Sequence, residues 1–155
     1  MGYGSEIFRL LTQLSVNNEL NGLKNVCDFG SQEIHFSEKD IYSHSSIESI
    51  RQTILAMGGP KITDDELSKL AGRSSTAEFY KYIDIRYKCL DSDGQYGDPF
   101  DFNFDQPNKA DLLGYDLVVN CGTTEHLLNQ SNSFKIAHDI TQHGGVMIHV
   151  LPFIG

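Results

Sequence analysis

Three short, mostly apolar segments constrain the fold of this chain more than any other feature. They lie within residues 24–31, 115–120 and 146–151, and each runs directly into Gly, Cys-Gly or Pro. A short apolar run bounded by turn residues predicts a strand buried on both faces of its sheet. Such strands are typical of parallel sheets, because helical crossovers cover both faces. The chain is therefore predicted to have an α/β fold.

Helical spacing of apolar residues fills most of the intervals between these segments. Residues 5–21 and 124–141 each predict one helix, the second ending at His143-Gly144-Gly145. Residues 38–82 predict a helical insertion between the first two strands. The predicted inner face of the 124–141 helix consists of Leu127, Leu128, Phe134, Ile136, Ala137 and Ile140.

Local signals divide the insertion into three short helices and place two more strands after it. The first helix contains Ser46 and stops at Gly58-Gly59-Pro60, and Thr63 with Glu66 forms a capping-box pattern that starts the second. Residues 74–82 form the third, with Ser75 or Thr76 as its cap. Alternation of apolar and polar residues predicts strands at 83–90 and 99–104.

Charge and cysteine content exclude several function classes. The 155 residues carry 12 Lys and Arg against 21 Asp and Glu, a net charge of −9, and residues 91–155 contribute −7 of it. This acidity argues against a nucleic-acid-binding groove. The chain lacks an 18-residue apolar run and an N-terminal secretion signal, so we expect no membrane partner. Three widely separated cysteines favour the cytoplasm, and their spacing predicts no metal site.

Polar and glycine residues follow the predicted strands at 28–31, 91–93, 101–103 and 120–123. Because the carboxyl ends of parallel strands share one edge, we expect these residues to form a ligand site there. A carboxylate at such an edge accepts both hydroxyls of a ribose, and a glycine turn lets the backbone approach the ligand. The pattern therefore favours a nucleoside ligand.

Several of these segments together resemble the class I S-adenosylmethionine-dependent methyltransferases. Residues 25–31 (NVCDFGS) are similar to the first motif of that family, and 90–94 (LDSDG) to the second. Residues 101–103 (DFN) occupy the place of the third. Residues 115–126 (YDLVVNCGTTEH) resemble the fourth strand and the Glu-His that often follows it, and 144–148 (GGVMI) resemble the start of the fifth.

The resemblance implies a Rossmann-like three-layer sandwich in a single domain, with a mostly parallel sheet in the order 3-2-1-4-5. It also implies S-adenosylmethionine as cofactor and methyl transfer to a small-molecule or sugar-type acceptor. Asp91 would bind the ribose and Asp101 the adenine amine. The implied cofactor-binding residues are Asp28, Gly30, Ser31, Asp91, Ser92, Asp101, Phe102, Asn120, Cys121 and Gly122. His126 and Glu125 are the candidate catalytic residues.

Departures from the family pattern leave other functions open. Gln32 and Ile34 stand where the first motif usually has further glycines, and the family's sheet continues past strand five. We expect either a truncated member or a homodimer that covers the strand-five edge. The alternative function is a non-catalytic binding or assembly module. A nicotinamide-dependent oxidoreductase is disfavoured because no G-x-G-x-x-G is present.

Overall fold

The computed structural model describes residues 2–36, 44–72, 74–94, 97–107 and 114–152. Its centre is a five-stranded, all-parallel sheet with the strand order β3-β2-β1-β4-β5. The strands are β1 (Asn25–Phe29), β2 (Arg86–Asp91), β3 (Asp98–Pro99), β4 (Tyr115–Cys121) and β5 (Thr141–Val150). The predicted α/β class and the predicted strand order 3-2-1-4-5 are confirmed.

The helices are α1 (Ser5–Val16), α2 (His44–Ala56), α3 (Asp64–Ala71), α4 (Thr76–Tyr82) and α5 (Gln130–Ile140), and a 3₁₀ turn spans Thr124–His126. Three of them, α2 to α4, lie between β1 and β2, which confirms a helical insertion there. Residues 38–43 of the predicted insertion lie outside the described residues. The chain divides into two compact units, residues 1–22 with 32–85 and residues 23–31 with 86–155.

The unit formed by residues 23–31 and 86–155 contains the sheet. Its central strand β1 pairs with β2 on one side and β4 on the other, with Asp28 in register with Cys89 and Val119. Apolar side chains on one face of the sheet pack against the buried face of α5. This core consists of Cys27, Phe29, Leu90, Phe100, Phe102, Tyr115, Val118, Ile136, Ala137 and Ile140.

The unit formed by residues 1–22 and 32–85 contains α1 to α4. The hydroxyls of Thr12 on α1 and Thr53 on α2 lie 2.9 Å apart, and Thr53 also donates to the carbonyl of Phe8. The Phe8 ring meets Phe79 of α4 edge to face at 5.2 Å. The predicted capping box at the start of α3 is present, with Thr63 as the N-cap.

The predicted strand at 99–104 is wrong in extent, because β3 covers only Asp98–Pro99. Residues 101–104 form a turn instead, in which Asp101 Oδ1 accepts hydrogen bonds from the Asn103 backbone and side chain. Phe100 and Phe102 are nevertheless buried. The alternation that predicted a strand thus comes from Phe100, directly after β3, and Phe102, within the turn, whose side chains both reach the core.

The predicted helix at 124–141 is also corrected. Its first part is the 3₁₀ turn, and α5 begins only at Gln130. Leu128, predicted to face inward, is 96% exposed, and Phe134 is also exposed. The helix ends at Ile140 rather than at 143–145, and Gly144-Gly145 lie within β5.

In the part of the sheet that the structure describes, β5 is the edge strand next to β4. The homodimer through this edge stays a prediction, and so does the single-domain organisation. Among the described residues, no helix has both the length and the apolar character needed to cross a membrane.

Candidate functional site

The turn after β1 is hydrogen-bonded to the carboxyl end of the neighbouring strand β2. Gly30 has a φ of +75°, a conformation that favours glycine, and its N–H donates to the carbonyl of Leu90 at 2.7 Å. The next residue, Ser31, donates its backbone N–H to Oδ2 of Asp91 at 2.5 Å. Two backbone donors therefore hold the glycine turn against the last two residues of β2. The predicted residues Gly30, Ser31 and Asp91 are brought together, and Ser92 follows them, exposed.

Asp28 lies one residue before the end of β1 and is fully buried. Its carboxylate accepts a hydrogen bond from the hydroxyl of Tyr87 on β2 at 2.9 Å. Burial, and after it the charge of Asp28, raises the pKa of Cys89 and of Cys121 to about 12. Cys121, a predicted cofactor residue, is therefore a neutral thiol and a poor nucleophile at neutral pH.

Asp101 and Phe102 lie on the turn after β3. Besides the turn that Asp101 forms with Asn103, the backbone N–H of Asp101 donates to Asp105 at 2.7 Å. The ring of Phe102 packs on Phe29 with the ring centroids 4.4 Å apart, so this side chain is part of the core.

The same turn is attached to the start of α5 through side-chain amides. Asn103 Oδ1 accepts from the backbone N–H groups of Leu128 and Asn129 at 2.9 and 3.0 Å. Asn132 of α5 donates to the carbonyl of Phe102 at 2.8 Å. The described hydrogen bonds therefore connect Asp101 and its turn to α5 rather than to the Gly30 turn.

At the end of β4, Asn120 is fully buried and organises the following turn. Its side-chain oxygen accepts from the backbone N–H groups of Thr123 and Thr124 at 3.2 and 3.3 Å. Its side-chain nitrogen contacts Thr124 Oγ1 and His149 Nδ1. Gly122 has a φ of +81° and donates its N–H to the carbonyl of Val150. The predicted residues Asn120 and Cys121 thus end β4, and Gly122 begins the turn that Asn120 organises.

The two candidate catalytic residues follow in the 3₁₀ turn. The Glu125 side chain is 18% exposed, and its Oε1 lies 3.4 Å from His126 Nε2. Its Oε2 is buried and accepts no hydrogen bond from the residues that the structure describes. A buried carboxylate oxygen without a donor is unfavourable, so this atom has unused acceptor capacity. The side chain of His126 is 76% exposed.

Three residues organise these turns, of which Thr123 lies within the predicted range 120–123 while Tyr87 and His149 were not predicted. The hydroxyl of Thr123 donates to the carbonyl of Phe29, which connects the turn after β4 to the end of β1. Tyr87 binds Asp28, and His149 contacts Asn120. The pairing of neighbouring strands brings these residues together, and strand pairing is not visible in one sequence. Within the described part of the chain, no group of three or more His, Cys, Asp or Glu side chains is placed to hold a metal ion.

Comparison with known proteins adds no relative to this description. No protein-family model matches the chain. Neither a curated protein sequence nor a solved structure matches it.

Proposed function

We propose that the protein is a methyltransferase that binds S-adenosylmethionine at the carboxyl ends of β1, β2 and β4 and methylates a small-molecule or sugar-type acceptor. The observation that carries the proposal is the pairing of a glycine turn after β1 with a carboxylate at the end of β2. Gly30, Ser31 and Asp91 form that pair in a parallel sheet of order 3-2-1-4-5. Ligands of such sheets bind where the strand order reverses, between β1 and β4.

The donor and acceptor groups at this edge fit a nucleoside cofactor. Ser31 engages one oxygen of Asp91, and a carboxylate offers about four acceptor positions, so Asp91 retains capacity for ribose hydroxyls. Gly30 and Gly122 would admit the cofactor close to the backbone. Asp91 and Ser92 would hold the ribose, and Asp28, Asn120 and Gly122 would line the methionine part.

The cofactor supplies an activated methyl group, so the protein has mainly to orient the acceptor and exclude water. Glu125 has the best-placed free acceptor for this task, because its Oε2 is buried without a described donor. We assign it the hydrogen bond from the acceptor's hydroxyl or amine, which would also draw off the proton as the acceptor reacts. His126, close to Glu125 and largely exposed, would pass that proton to solvent.

Calorimetric titration with S-adenosylhomocysteine, and in parallel with NADH, tests the proposal. We expect the first to bind and the second to give no heat of binding. No binding of S-adenosylhomocysteine at millimolar concentration would remove the methyltransferase proposal. Binding of NADH alone would favour an oxidoreductase.

A second function, a binding or assembly module without a cofactor, has specific support in the turn after β3. Phe102 is buried in the core and is not presented to an adenine, and Asp101 Oδ1 already accepts from Asn103, which leaves only Oδ2 of Asp101 for an adenine amine. Gln32 and Ile34, in the place of the family's glycines, are buried as well. A folded protein that binds neither nucleotide in the titrations would favour this second function.

The state of the cysteines supports a cytoplasmic location. Cys27, Cys89 and Cys121 are all free and buried. Unpaired thiols are typical of proteins from reducing compartments.

A further inference from the structure

The side chain of Asn120 uses both ends of its amide inside the sheet unit. Its Oδ1 accepts from two consecutive backbone N–H groups, those of Thr123 and Thr124. Only the oxygen of an amide accepts hydrogen bonds, so these two donors fix which end of the amide faces the turn. The nitrogen must therefore point toward Thr124 Oγ1 and His149 Nδ1, which lies 3.2 Å away.

This orientation determines the protonation state of His149. Because Asn120 Nδ2 is a donor, His149 Nδ1 must accept, and its lone pair must be free. The imidazole is then neutral with its proton on Nε2. The contact lies directly across the β4–β5 pair, where Asn120 and His149 are in register.

Burial acts in the same direction. The ring of His149 is half-buried and packs on Phe134 of α5 with the ring centroids 4.9 Å apart. Burial lowers the pKa of His149, because the charged form loses hydration. The neutral form of His149 is thus favoured both by the hydrogen bond that Asn120 donates and by the partial burial of the ring.

We propose that His149 is a protonation switch that controls the turn after β4 through Asn120. When His149 takes up a proton on Nδ1, two donors face each other across the strands. The Asn120 amide then rotates, so that its oxygen accepts from the imidazolium and no longer from Thr123 and Thr124. The turn that carries Glu125 is released.

The hydrogen bonds exchanged in this rotation make the switch energetically accessible. The two bonds that are lost measure 3.2 and 3.3 Å, longer than the usual 2.9–3.0 Å of N–H···O bonds, and are therefore weak. The bond that is gained joins a charged donor to an oxygen and is stronger than a neutral one. At neutral pH the exchange is opposed because it would turn the Asn120 nitrogen, a donor, toward the backbone N–H groups of Thr123 and Thr124.

The elements packed around His149 carry other ionisable groups, but the described contact of its Nδ1 is with Asn120. Those groups are Asp116 on β4, Glu125 and His126 on the 3₁₀ turn, Lys135, His138 and Asp139 on α5, and His143 on β5. Lys135 and His138 both pair with Asp139, and His126 with Glu125. The described side-chain hydrogen bond of the His149 ring is made with Asn120 and not with any of these groups.

The inference does not depend on the proposed function, because its measurement needs no ligand. Nuclear magnetic resonance of the isotope-labelled chain gives the His149 tautomer from its ring ¹⁵N shifts. We expect a proton on Nε2 at pH 8. On acidification through the His149 titration, the exchange protection of the Thr123 and Thr124 amides should fall by about threefold to tenfold, the range expected when each amide loses one hydrogen bond.

Two variants of β5 sharpen the test. His149→Asn places an amide oxygen near the position of Nδ1 and cannot titrate, so the protection of Thr123 and Thr124 should become independent of pH. His143→Asn removes an exposed histidine from the same strand and should retain the wild-type pH dependence.

Three results would each overturn the switch. They are a proton on Nδ1 at pH 8, amide protection that is constant through the His149 titration, and pH dependence that persists in His149→Asn. If His149→Asn does not fold, the tautomer and the coincidence of the two midpoints in the wild-type chain decide the question.

Discussion

Oδ2 of Asp91 and the backbone N–H of Ser31 lie 2.5 Å apart, joining the end of β2 to the turn after β1. A charge-assisted hydrogen bond of this kind is stronger than a neutral one. It fixes the carboxylate beside Gly30, where the sheet edge would receive a ribose. The same bond therefore contributes to the fold and to the proposed cofactor site.

Substitution of Asp91 separates these two contributions. Asp91→Ala removes the acceptor of Ser31 and the proposed ribose ligand, so we expect lower stability and at least about tenfold weaker binding of S-adenosylhomocysteine. Asp91→Asn keeps an oxygen for Ser31 but loses the charge and one acceptor, so it should lose less stability than Asp91→Ala while affinity still falls. Urea unfolding and calorimetry measure the two quantities.

Asp98→Asn is the matched control for this pair. Asp98 is an exposed acid at the start of β3 that pairs with Lys88, and surface ion pairs contribute little to stability. Its substitution should leave affinity unchanged. Wild-type affinity in Asp91→Asn would show that the ribose does not bind at the end of β2.

The buried thiols give a prediction about reactivity. Burial raises the pKa of Cys89 and Cys121 to about 12, and that of Cys27 is raised well above its usual range. Since only the thiolate reacts, all three should resist alkylation at pH 8 in the folded chain and react together on unfolding in urea. Mass spectrometry after timed iodoacetamide treatment measures this.

A thiol placed at the exposed Ser92 provides the reference rate. In Ser92→Cys, one site should react at the rate of a free thiol while the native three stay protected. Rapid alkylation of Cys121 without denaturant would contradict the burial of the β4 end.

The capping box of α3 predicts a pH-dependent contribution to stability. Thr63 N–H and then its hydroxyl donate to Glu66 Oε2, at 2.9 and 2.7 Å, which lowers the pKa of Glu66. Because the pKa of Glu66 is lower in the folded than in the unfolded chain, its carboxylate stabilises the fold at every pH above the unfolded pKa. This stabilisation is lost as the pH falls below about 4. Thr63→Ala should cost about 1 kcal/mol at pH 7.

Thr63→Ser keeps both capping bonds and is the control. Urea unfolding at pH 7 and pH 3 should show a smaller penalty for Thr63→Ala at the lower pH. An equal penalty at both would mean that the Glu66 carboxylate does not take part in the cap.

Gly144-Gly145, which resembled a family signature in the sequence, has a steric role within β5. A Cβ at Gly145 would lie 2.9 Å from the carbonyl oxygen of Tyr115 and 3.0 Å from that of Gln142. Backbone atoms cannot move aside cheaply, so Gly145→Ala should destabilise the fold by about 1–3 kcal/mol. Gly144 has a φ of +81° with open space around it, so Gly144→Asn, which tolerates that conformation, should change stability little. Thermal unfolding compares the two variants.

The sequence predicts those elements whose signals are local. β1 and β4 follow from apolar runs that are buried on both faces, and the start of α3 from Thr63 and Glu66. The contact between Asn120 and His149 could not be predicted, since it depends on which residues of two strands lie opposite each other. The parallel pairing follows from the same apolar runs, whereas the strand order 3-2-1-4-5 was predictable only through the resemblance to a family.

The region before α5 illustrates a different failure. Helical spacing placed Leu128 and Ile136 on one face, but a 3₁₀ turn and three intervening residues break the periodicity before Gln130. The amide contacts of Asn103 with Leu128 and Asn129 stabilise that break. A continuous helical pattern in the sequence contains no signal for such a tertiary contact.

This break leads to a prediction about Leu128 and Ile136, two residues of similar size that the sequence pattern places on the same inner helix face. Ile136 is fully buried in the core beneath the sheet, whereas Leu128 is 96% exposed. Ile136→Ala leaves a cavity and should cost about 2–5 kcal/mol, while Leu128→Ala should stay within about 0.5 kcal/mol of the wild type. Urea unfolding of both variants measures the difference. A penalty above 2 kcal/mol for Leu128→Ala would mean that the helix begins before Gln130 and that Leu128 packs inward.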